Sequence, residues 1–471
     1  MVRMTRRQFL AATALAAQAQ PPQRPNVLFI AVDDLDCRLP SYGDKIAKTP
    51  NIDRIAARAV RFDRAYCQFP LCNPTRSSVL SGRYPTTTGV LDNNTWLVLE
   101  DGMLTLPRYF ESHGYNVATH GKIWHGPNRG FQKSEKVPAQ AAWSTPAQRA
   151  EQQKLEPGYW YTHFTPYRNL RPPNPGQFAN ANKIGPLPEG DVGQDAPIAD
   201  AAIKSLQEFA RAGKPFFLAT GFHKPHVPLT APKKYFDMFD PAAMTLPPDF
   251  DTEPRHLPGY PADEFRQNID LFAGRSFTVL EAREAMRAYY ACMAYMDAQV
   301  GRVLDALTAA GLDRNTVVVL WGDHGWHLSE KGMWAKGTLF EVSARGPLFI
   351  ADPRLRTAGR TTRRVVEYLD MYPTLTDLCG LPKPSWTEGT SLRPLLENPD
   401  APWDKPARTF AVRNWAIGRS IRTERWRYTE WDQGRGGRAL FDHDHDPHEM
   451  RNLAEEAAHK ETVETLRRML R

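Results

Sequence analysis

The run Pro25-Asn26-Val27-Leu28-Phe29-Ile30-Ala31-Val32-Asp33-Asp34 decides the fold class of this chain. A continuous apolar stretch bounded by polar residues is typical of a β-strand that is buried on both faces. Asp33 and Asp34 follow the carboxyl end of this predicted strand. Two adjacent carboxylates in such a place are costly unless a cationic group stabilises them. The run therefore predicts a central strand that ends in a charged site.

The same alternation of strand and helix continues through roughly the first 380 residues, which favours an α/β fold. Buried strands are predicted at 60–66, 115–119, 216–220, 316–321 and 347–351, and helices at 106–113, 197–212 and 280–310. This order predicts a mostly parallel central sheet with helices on both faces. In such sheets ligands bind outside the carboxyl ends of the strands.

A second stretch, Cys72-Asn73-Pro74-Thr75-Arg76, follows the strand predicted at 60–66. Pro74 suits the first position of a helix, since its missing N–H would be unpaired there anyway. Gly82 is a suitable helix end, because glycine adopts the left-handed conformation readily. Cys72 would then lie at the start of a short helix, where free N–H groups lower the pKa of a thiol. Taken alone, the stretch is equally consistent with a buried, inert cysteine.

Polar residues that can do chemistry recur shortly after the predicted strands: Asp33, Asp34, Cys72, Lys122, His125, His226, Asp323 and His324. Lys336 follows further along the segment that begins at Asp323. The three carboxylates are hard oxygen ligands for a divalent cation, and His324 can complete the set. An oxygen-rich set suits calcium or magnesium better than zinc. The lysines and the other two histidines can hold a tetrahedral anion and protonate a leaving oxygen.

The N-terminal residues predict an export signal rather than part of the fold. Thr5-Arg6-Arg7-Gln8-Phe9-Leu10 has the twin-arginine pattern, and an apolar run and a small-x-small cleavage site follow. The apolar run is too short to span a bilayer. We therefore expect residues 1–22 to direct export by the twin-arginine route to the periplasm or the medium, with no membrane insertion afterwards.

The rest of the chain is predicted to comprise a catalytic domain at 23–384, a linker at 385–404 and a small α+β subdomain at 405–471. Loop-rich segments at 127–193 and 231–276 are expected to set specificity. The 5 cysteines are too few and too scattered for a disulfide framework. A net charge of +7 suits an acidic substrate, and the absence of a lysine–arginine block argues against nucleic acid.

With these motifs in place, the chain resembles the type I, formylglycine-dependent sulfatases, most of all the iduronate-2-sulfatase branch. The matching stretches are 26–35, 72–76 with 81–83, 121–125, 221–228, 323–336 and 420–431. The resemblance implies an alkaline-phosphatase-like fold. It also implies hydrolysis of a sulfate ester, on a sulfated sugar or a glycosaminoglycan fragment.

By the same resemblance, a formylglycine-generating enzyme oxidises Cys72 to formylglycine. The hydrate of this aldehyde attacks sulfur, and its second hydroxyl later expels sulfate. The resemblance assigns one Ca²⁺ per chain, with Mg²⁺ as an alternative, to Asp33, Asp34, Asp323 and His324, close to the modified Cys72. It assigns support of the modified residue to Arg76 and Lys122, and contact with the sulfate to His125, His226 and Lys336.

Two positions depart from the common family pattern. Thr75 stands where most members have serine, which keeps a hydroxyl and adds a methyl group. His324 stands where many members have asparagine, although the iduronate branch resembles this chain there.

Other readings of the site remain open. The same residues can serve a phosphate or phosphonate monoester or diester hydrolase, because those substrates are also tetrahedral anions. A non-catalytic sulfated-glycan-binding protein would keep Cys72 as a thiol. A two-zinc phosphatase is disfavoured by the oxygen-rich set. The run Phe441-Asp442-His443-Asp444-His445-Asp446-Pro447-His448 looks like a metal site, but ligands spaced so densely on a turn rarely converge.

Overall fold

The computed structural model describes residues 24–126, 129–135, 184–253, 259–265, 271–272, 276–414 and 416–470. The predicted export signal lies outside these residues, as does most of the predicted loop at 127–193.

The chain forms the strands β1 (Asn26–Val32), β2 (Val60–Tyr66), β3 (Val98–Leu99), β4 (Asn116–Gly121), β5 (Phe131–Gln132), β6 (Ile184–Leu187), β7 (Phe216–Phe222), β8 (Leu229–Pro232), β9 (Thr316–Gly322), β10 (Leu348–Ala351), β11 (Thr361–Glu367), β12 (Ala407–Arg413), β13 (Ala416–Arg422), β14 (Trp426–Trp431) and β15 (Arg438–Asp442). The α-helices are α1 (Pro50–Ala56), α2 (Cys72–Ser81), α3 (Pro85–Thr88), α4 (Leu106–Ser112), α5 (Asp195–Ala212), α6 (Lys233–Phe236), α7 (Val279–Ala309), α8 (Glu341–Ala344), α9 (Met371–Leu378), α10 (Arg393–Glu397) and α11 (Lys460–Leu470).

A seven-stranded sheet in the order β11-β2-β10-β9-β1-β7-β4 forms the centre of the molecule. β1 pairs in parallel with β7 on one side and with β9 on the other. Only β10 runs antiparallel to its neighbours in this sheet. The predicted mostly parallel sheet is thus confirmed. The edge strand β11 was not expected, since Thr361-Thr362-Arg363-Arg364 opens it without an apolar run.

Side chains of β1 alternate between two apolar layers, one on each face of the sheet. Leu28 and Ile30 pack into the layer that contains α5 and α7. Val27 and Phe29 pack into the opposite layer, with α2, α4 and α9. All four side chains are fully buried. Each such burial stabilises the fold by about 1.5–3 kcal/mol, so this strand is tightly fixed in register.

The longest helix, α7, begins with a capping box in which Thr278 and Glu281 satisfy each other's backbone N–H groups. The predicted apolar stripe on this helix, which includes Met293 and Met296, lies in the core beneath the sheet. One member of the stripe, Tyr289, also touches the functional edge of the sheet through its hydroxyl group.

Strands β12 to β15 form a separate antiparallel sheet against which α11 packs. This arrangement confirms the predicted small α+β unit at the C-terminal end. The segment predicted as a linker contains α10, and Leu392, which precedes this helix, and Leu395, which lies within it, are fully buried in the main core. The domain boundaries themselves stay predictions. Within the described ranges, no helix combines the length and the apolar character that crossing a membrane requires.

Candidate active site

Five parallel strands of the central sheet deliver polar residues to one edge. Strand β1 is followed by Asp33 and Asp34, β2 by Cys72, β4 by Lys122 and His125, β7 by His226, and β9 by Asp323 and His324. The segment after β9 returns Lys336 to the same place. The antiparallel β10 adds none of these side chains. The structure therefore brings together the residues that the sequence placed at strand ends.

Helix α2 carries Cys72 into the middle of this cluster. The helix begins at Cys72 itself, two residues earlier than predicted, because the N–H of Thr75 already donates to Leu71 O at 3.1 Å. Pro74 is tolerated in this first turn, where no intrahelical bond needs its nitrogen. The helix ends at Gly82, which has a φ of 71°, as predicted.

The Cys72 thiol is fully buried and surrounded by cationic groups. Its Sγ lies 3.2 Å from Lys336 Nζ, 3.7 Å from Lys122 Nζ and 3.6 Å from His324 Nε2. Burial and the nearby Asp33 oppose ionisation, but the two lysines outweigh them and lower the pKa of the thiol. The site is thus built to stabilise negative charge at the position of this side chain.

Arg76 lies one helical turn after Cys72 and joins the ends of three strands. Its guanidinium is fully buried and donates from Nε to Asp323 Oδ2 at 3.0 Å. A terminal nitrogen lies 3.3 Å from Asp33 Oδ1, and the other donates to the carbonyl oxygen of Lys122. Removing this side chain would take one counter-ion away from each of two buried carboxylates.

The two adjacent carboxylates differ in their surroundings. Lys122 forms an ion pair with Asp33. Burial alone would raise the pKa of Asp33, but Lys122, His226 and Arg76 hold it well below its usual range. Asp34 receives a 2.6 Å hydrogen bond from Lys336, yet burial, together with repulsion from Asp33, raises its pKa to about 8.

The backbone of Asp34 adopts a left-handed conformation, with a φ of 56°. A non-glycine residue in this region needs support from its neighbours. The Asp34 N–H donates to Asp323 Oδ1 at 3.0 Å, and the hydroxyl of Tyr289 donates to the Asp34 carbonyl oxygen at 2.7 Å. The same hydroxyl accepts from the Asp36 N–H at 3.0 Å. Tyr289 thus fixes the turn that aims the Asp34 carboxylate, a role its place in an apolar helical stripe did not reveal.

The three histidines occupy different positions around the carboxylates. His324 Nε2 lies 3.5 Å from Asp34 Oδ1 and 3.6 Å from Asp323 Oδ1. Burial lowers the pKa of His324, but Asp323 and the Cys72 side chain outweigh it and raise this pKa to about 9. His226 Nε2 lies 3.9 Å from Asp33 Oδ2 and 3.8 Å from Asp34 Oδ2. Burial and Lys336 push the pKa of His226 well below its usual value, and burial and Lys122 do the same for His125.

A close approach of two backbones sets the position of Lys122. A Cβ on Gly221 would come within 2.1 Å of the Lys122 carbonyl carbon. A Cβ on Gly121 would come within 2.2 Å of Gly221 O, and Gly121 also has a φ of 68°. Only glycine fits at either position. The Lys122 N–H donates to Gly221 O at 2.8 Å, which holds β4 against β7 where the lysine leaves the strand.

The donor set fits a hard divalent cation. Asp33, Asp34, Cys72 and His226 offer ligand atoms that lie within 4.8 Å of one another, and so do Cys72, Asp323 and His324. Asp34 Oδ2 is buried and has no hydrogen-bond donor among the described residues. Burial disfavours the ionised form of this carboxyl group, and a bound cation would favour it.

The central sheet and its helix layers define the structural class to which this protein belongs. A mostly parallel central sheet with helices on both faces and a small C-terminal sheet is the architecture of alkaline-phosphatase-like hydrolases. The profile described as "Sulfatase" matches residues 25–381, and one described as "N-sulphoglucosamine sulphohydrolase, C-terminal" matches 329–471. The chain belongs to the sulfatase family and is a sulfuric ester hydrolase, which confirms the resemblance read from its motifs.

Individual relatives agree with this assignment. A sulfatase of Formosa agariphila is 33% identical over 95% of this chain and 86% of its own length. Human iduronate 2-sulfatase is 31% identical over 86% of this chain and 84% of its own length. The crystal structure of a phosphonate monoester hydrolase of Agrobacterium radiobacter has a TM-score of 0.73 at 22% identity, covering 95% of each chain, and it shows the shared fold.

Proposed function

We propose that this protein hydrolyses a sulfate ester on a sulfated sugar or glycosaminoglycan fragment, with Cys72 converted to formylglycine and a divalent cation bound beside it. One observation carries the proposal. Cys72 lies at the carboxyl edge of the sheet with Lys336, Lys122 and His324 each within 3.7 Å of its sulfur. Four groups placed this way can hold a nucleophile and a tetrahedral anion at one point.

The cation would be held by Asp33, Asp34, Asp323 and His324. A cation there supplies Lewis acidity, drawing negative charge from the sulfate oxygens. The oxygen-rich set favours Ca²⁺, with Mg²⁺ as the alternative. Arg76 contributes by orienting Asp33 and Asp323, because it donates to both.

The modified residue supplies one hydroxyl for attack on sulfur and a second for the release of sulfate. Lys122 and Lys336, whose ammonium groups contact the Cys72 side chain, stabilise negative charge on that oxygen. Burial and cationic neighbours keep His125 and His226 neutral near pH 7, since both lower their pKa values. A neutral imidazole carries a single N–H, which can donate to a sulfate oxygen when it lies on the nitrogen that faces the site. Where the site-facing nitrogen is free, as at His226 Nε2, it can take up a proton and pass it to or from the ester oxygen.

A sugar substrate is supported by the relatives. Iduronate 2-sulfatase is a relative over most of both chains, and the C-terminal profile match is to a sulphoglucosamine sulphohydrolase. The net charge of +7 is favourable for an anionic saccharide. The specific sugar and the position of its sulfate would be set by side chains around the cleft, including the predicted loops at 127–193 and 231–276.

The phosphonate monoester hydrolase that shares the fold supports one alternative function. Phosphate and phosphonate esters are tetrahedral anions that the same lysines could hold. The decisive comparison is the ratio of kcat/KM on an aryl sulfate and on the matching aryl phosphate. A ratio well above one supports sulfate ester hydrolysis, and a ratio well below one supports the alternative.

The modification is tested on the tryptic peptide that runs from Ala65 to Arg76, from protein made in a host that contains a formylglycine-generating enzyme. A peptide that is lighter than the thiol form and reacts with a hydrazide probe supports formylglycine at position 72. A peptide that keeps the thiol, in protein that binds sulfated sugars without turnover, supports a glycan-binding protein instead. The same measurement on protein from a host lacking the enzyme is the control.

Export by the twin-arginine route to the periplasm or the medium also belongs to this proposal. That route carries folded proteins, and Cys72 is fully buried once the chain has folded. Conversion of Cys72 must then precede folding in the cytoplasm. An aldehyde in the exported protein, together with only thiol in the cytoplasmic precursor, would contradict this order.

A further inference from the structure

The turn after β7 delivers His226 to the site, and a buried lysine, Lys224, holds this turn through backbone carbonyl groups. Lys224 is 1% exposed. Its ammonium donates to His226 O at 3.2 Å and also to Pro228 O. One side chain thus binds the backbone on both sides of Val227, in the short segment that sets the direction of the imidazole.

Burying a charged ammonium group costs free energy unless hydrogen bonds or ion pairs compensate for the lost hydration. No carboxylate among the described residues lies within 4.0 Å of it, so its direct partners are neutral carbonyl groups. Burial lowers its pKa accordingly. A buried lysine that binds two carbonyl groups fixes the conformation of the backbone and adds little to the net stability of the fold.

The same turn is anchored at its start by a buried carboxylate. Asp195, the first residue of α5, is fully buried and accepts from the His223 N–H at 2.8 Å and the Lys224 N–H at 3.0 Å. The N–H groups of Asp195 and Ala196 donate to the Tyr295 hydroxyl at 3.1 and 3.0 Å. The turn is therefore tied through α5 to the long helix α7, which packs in the core.

The imidazole of His226 is fixed at its other nitrogen. Nδ1 lies 2.6 Å from Val227 O, so with Nδ1 protonated it donates there and leaves Nε2 facing the site. Nε2 then lies 3.8 Å from Asp34 Oδ2. Any shift of the 226–228 backbone moves both the carbonyl that orients the ring and the ring itself.

We propose that Lys224 is a positioning residue, which fixes the backbone around His226 so that its Nε2 faces the sulfate group of the substrate. The inference rests on the proposed function, because it concerns the site that binds the sulfate ester. Lys224 itself touches neither the Cys72 side chain nor the carboxylates of the cation set in the hydrogen bonds that it makes. Its effect passes through His226.

The test is a double-mutant cycle with Lys224→Met and His226→Ala, measured on an aryl sulfate with fully modified protein. Lys224→Met is expected to lower kcat/KM by about 10- to 100-fold, the size expected when a reacting group is displaced by about 1 Å. In the His226→Ala background the same substitution should change kcat/KM by less than about 2-fold, because the group that it positions is gone.

A binding measurement separates positioning from a general structural effect. The inhibition constant of inorganic sulfate should rise in Lys224→Met but should not change further when that substitution is added to His226→Ala. Equal losses in both backgrounds would overturn the proposal, and so would an unaltered kcat/KM in Lys224→Met. Lys233→Met is the matched control, since Lys233 is exposed and pairs only with Asp237 in the described structure.

The experiment also distinguishes failure of the proposed function from failure of the variant to fold. A wild-type protein that carries the modification but cleaves no sulfate ester contradicts the proposed function, and sulfate binding then still tests the positioning role. If Lys224→Met fails to fold, Asp195→Asn weakens the same turn from its other end. It should give a smaller loss of kcat/KM that also disappears when His226 is absent.

Discussion

Two of the clusters in the described part of the chain combine carboxylates, histidines and basic groups, and their charges are compensated differently. One surrounds Cys72 at the edge of the central sheet. The other, here called the tail cluster, consists of Glu341, His443 and Glu449 together with Arg422 and Arg427. Its carboxylate and imidazole groups also lie within 4.8 Å of one another and in that respect resemble a metal site.

The difference lies in the counter-ions. In the tail cluster Arg427 Nε lies 2.7 Å from Glu449 Oε1, and its terminal nitrogen donates to Glu341 Oε2. Arg422 lies 3.3 Å from the same Glu341 oxygen. The guanidinium groups thus fill the positions that a metal ion would need. At the sheet edge, Asp34 keeps a buried oxygen without a donor among the described residues.

The comparison shows that density of charge does not define a functional site. In the tail cluster strong, forked ion pairs join the C-terminal sheet to α8, and the pKa of Glu341 is held well below its usual range because its arginine and histidine neighbours outweigh burial. At the sheet edge an unsatisfied oxygen and a thiol between two lysines remain available for chemistry. Substitutions in the tail cluster should therefore affect stability, and substitutions around Cys72 should affect turnover.

The largest expected effect is on turnover, from Cys72→Ala. Loss of the nucleophile should lower kcat by about 10⁴-fold or more, to the level left by binding alone. The melting temperature should change little, because the helix and its partners remain. Cys379→Ala is the matched control, since Cys379 is also buried but lies on the far side of the core at the end of α9. Comparable activity loss in both variants would remove the distinction between the two clusters.

The second largest effect is expected when divalent cations are removed. Chelation should abolish turnover and lower the free energy of unfolding by about 3 kcal/mol relative to protein with Ca²⁺ at 100 times its Kd. Asp323→Asn should lose the response of the melting temperature to Ca²⁺, and Glu449→Gln should keep it. Calorimetric titration of Ca²⁺ checks both. A Ca²⁺ response that depends on Glu449 would make the tail cluster a metal site after all.

Breaking the tail cluster should affect stability alone. Arg427→Met removes the arginine of the buried Glu449 and leaves Glu341 with Arg422 alone, which should lower the free energy of unfolding by about 3–5 kcal/mol. The kcat of the folded protein, assayed well below its melting temperature, should stay within about 2-fold of the wild type. Urea unfolding provides the measurement, and Arg435→Met at an exposed site is the control. A loss of kcat without a loss of stability would contradict the structural role.

The smallest predicted effect concerns a buried carboxyl that lacks a direct cationic partner in its hydrogen bonds. Glu264 accepts from Trp431 Nε1 at 2.8 Å and from the Leu339 N–H, and burial raises its pKa to about 7. A raised folded-state pKa adds stability that is fully present below the unfolded value near 4.5 and is lost as pH rises through 7. We expect this group to remove up to about 3 kcal/mol between pH 4 and pH 8.

That pH dependence is isolated by the difference between wild type and Glu264→Gln. The variant cannot ionise, so its free energy of unfolding should fall less over the same interval. Parallel curves for the two proteins would show that Glu264 keeps an ordinary pKa in the folded state.

Much of the fold followed from local patterns. The apolar run at Val27 gave a strand at the observed place, and Gly82 ended α2 as its conformational freedom suggested. The cluster at the carboxyl edge was also predictable, since parallel strands align their ends. Strand β11 was missed because its polar first half lies at an edge, where solvent removes the apolar signal.

The contacts that make the site precise could not be read from the sequence. Tyr289 lies on an apolar stripe like its neighbours, and nothing local shows that its hydroxyl holds the Asp34 turn. Lys224 lies two residues from His226, but its direction depends on the path of the chain through Pro228. Arg76 joins Asp33 and Asp323, which are far apart in the chain and meet only when β1 pairs with β9.

By itself, therefore, the sequence determined the layered α/β architecture, the family and the residues available for chemistry, because periodicity and strand-end position are local properties. Only the tertiary structure decided which basic side chain neutralises which carboxylate. Arg427 satisfies the carboxylates of the tail cluster, whereas Asp34 keeps an oxygen that is buried and lacks a donor among the described residues. Counter-ion assignment depends on distances of a few ångströms between strands that are remote in sequence, and it separates a structural ion-pair network from an active site.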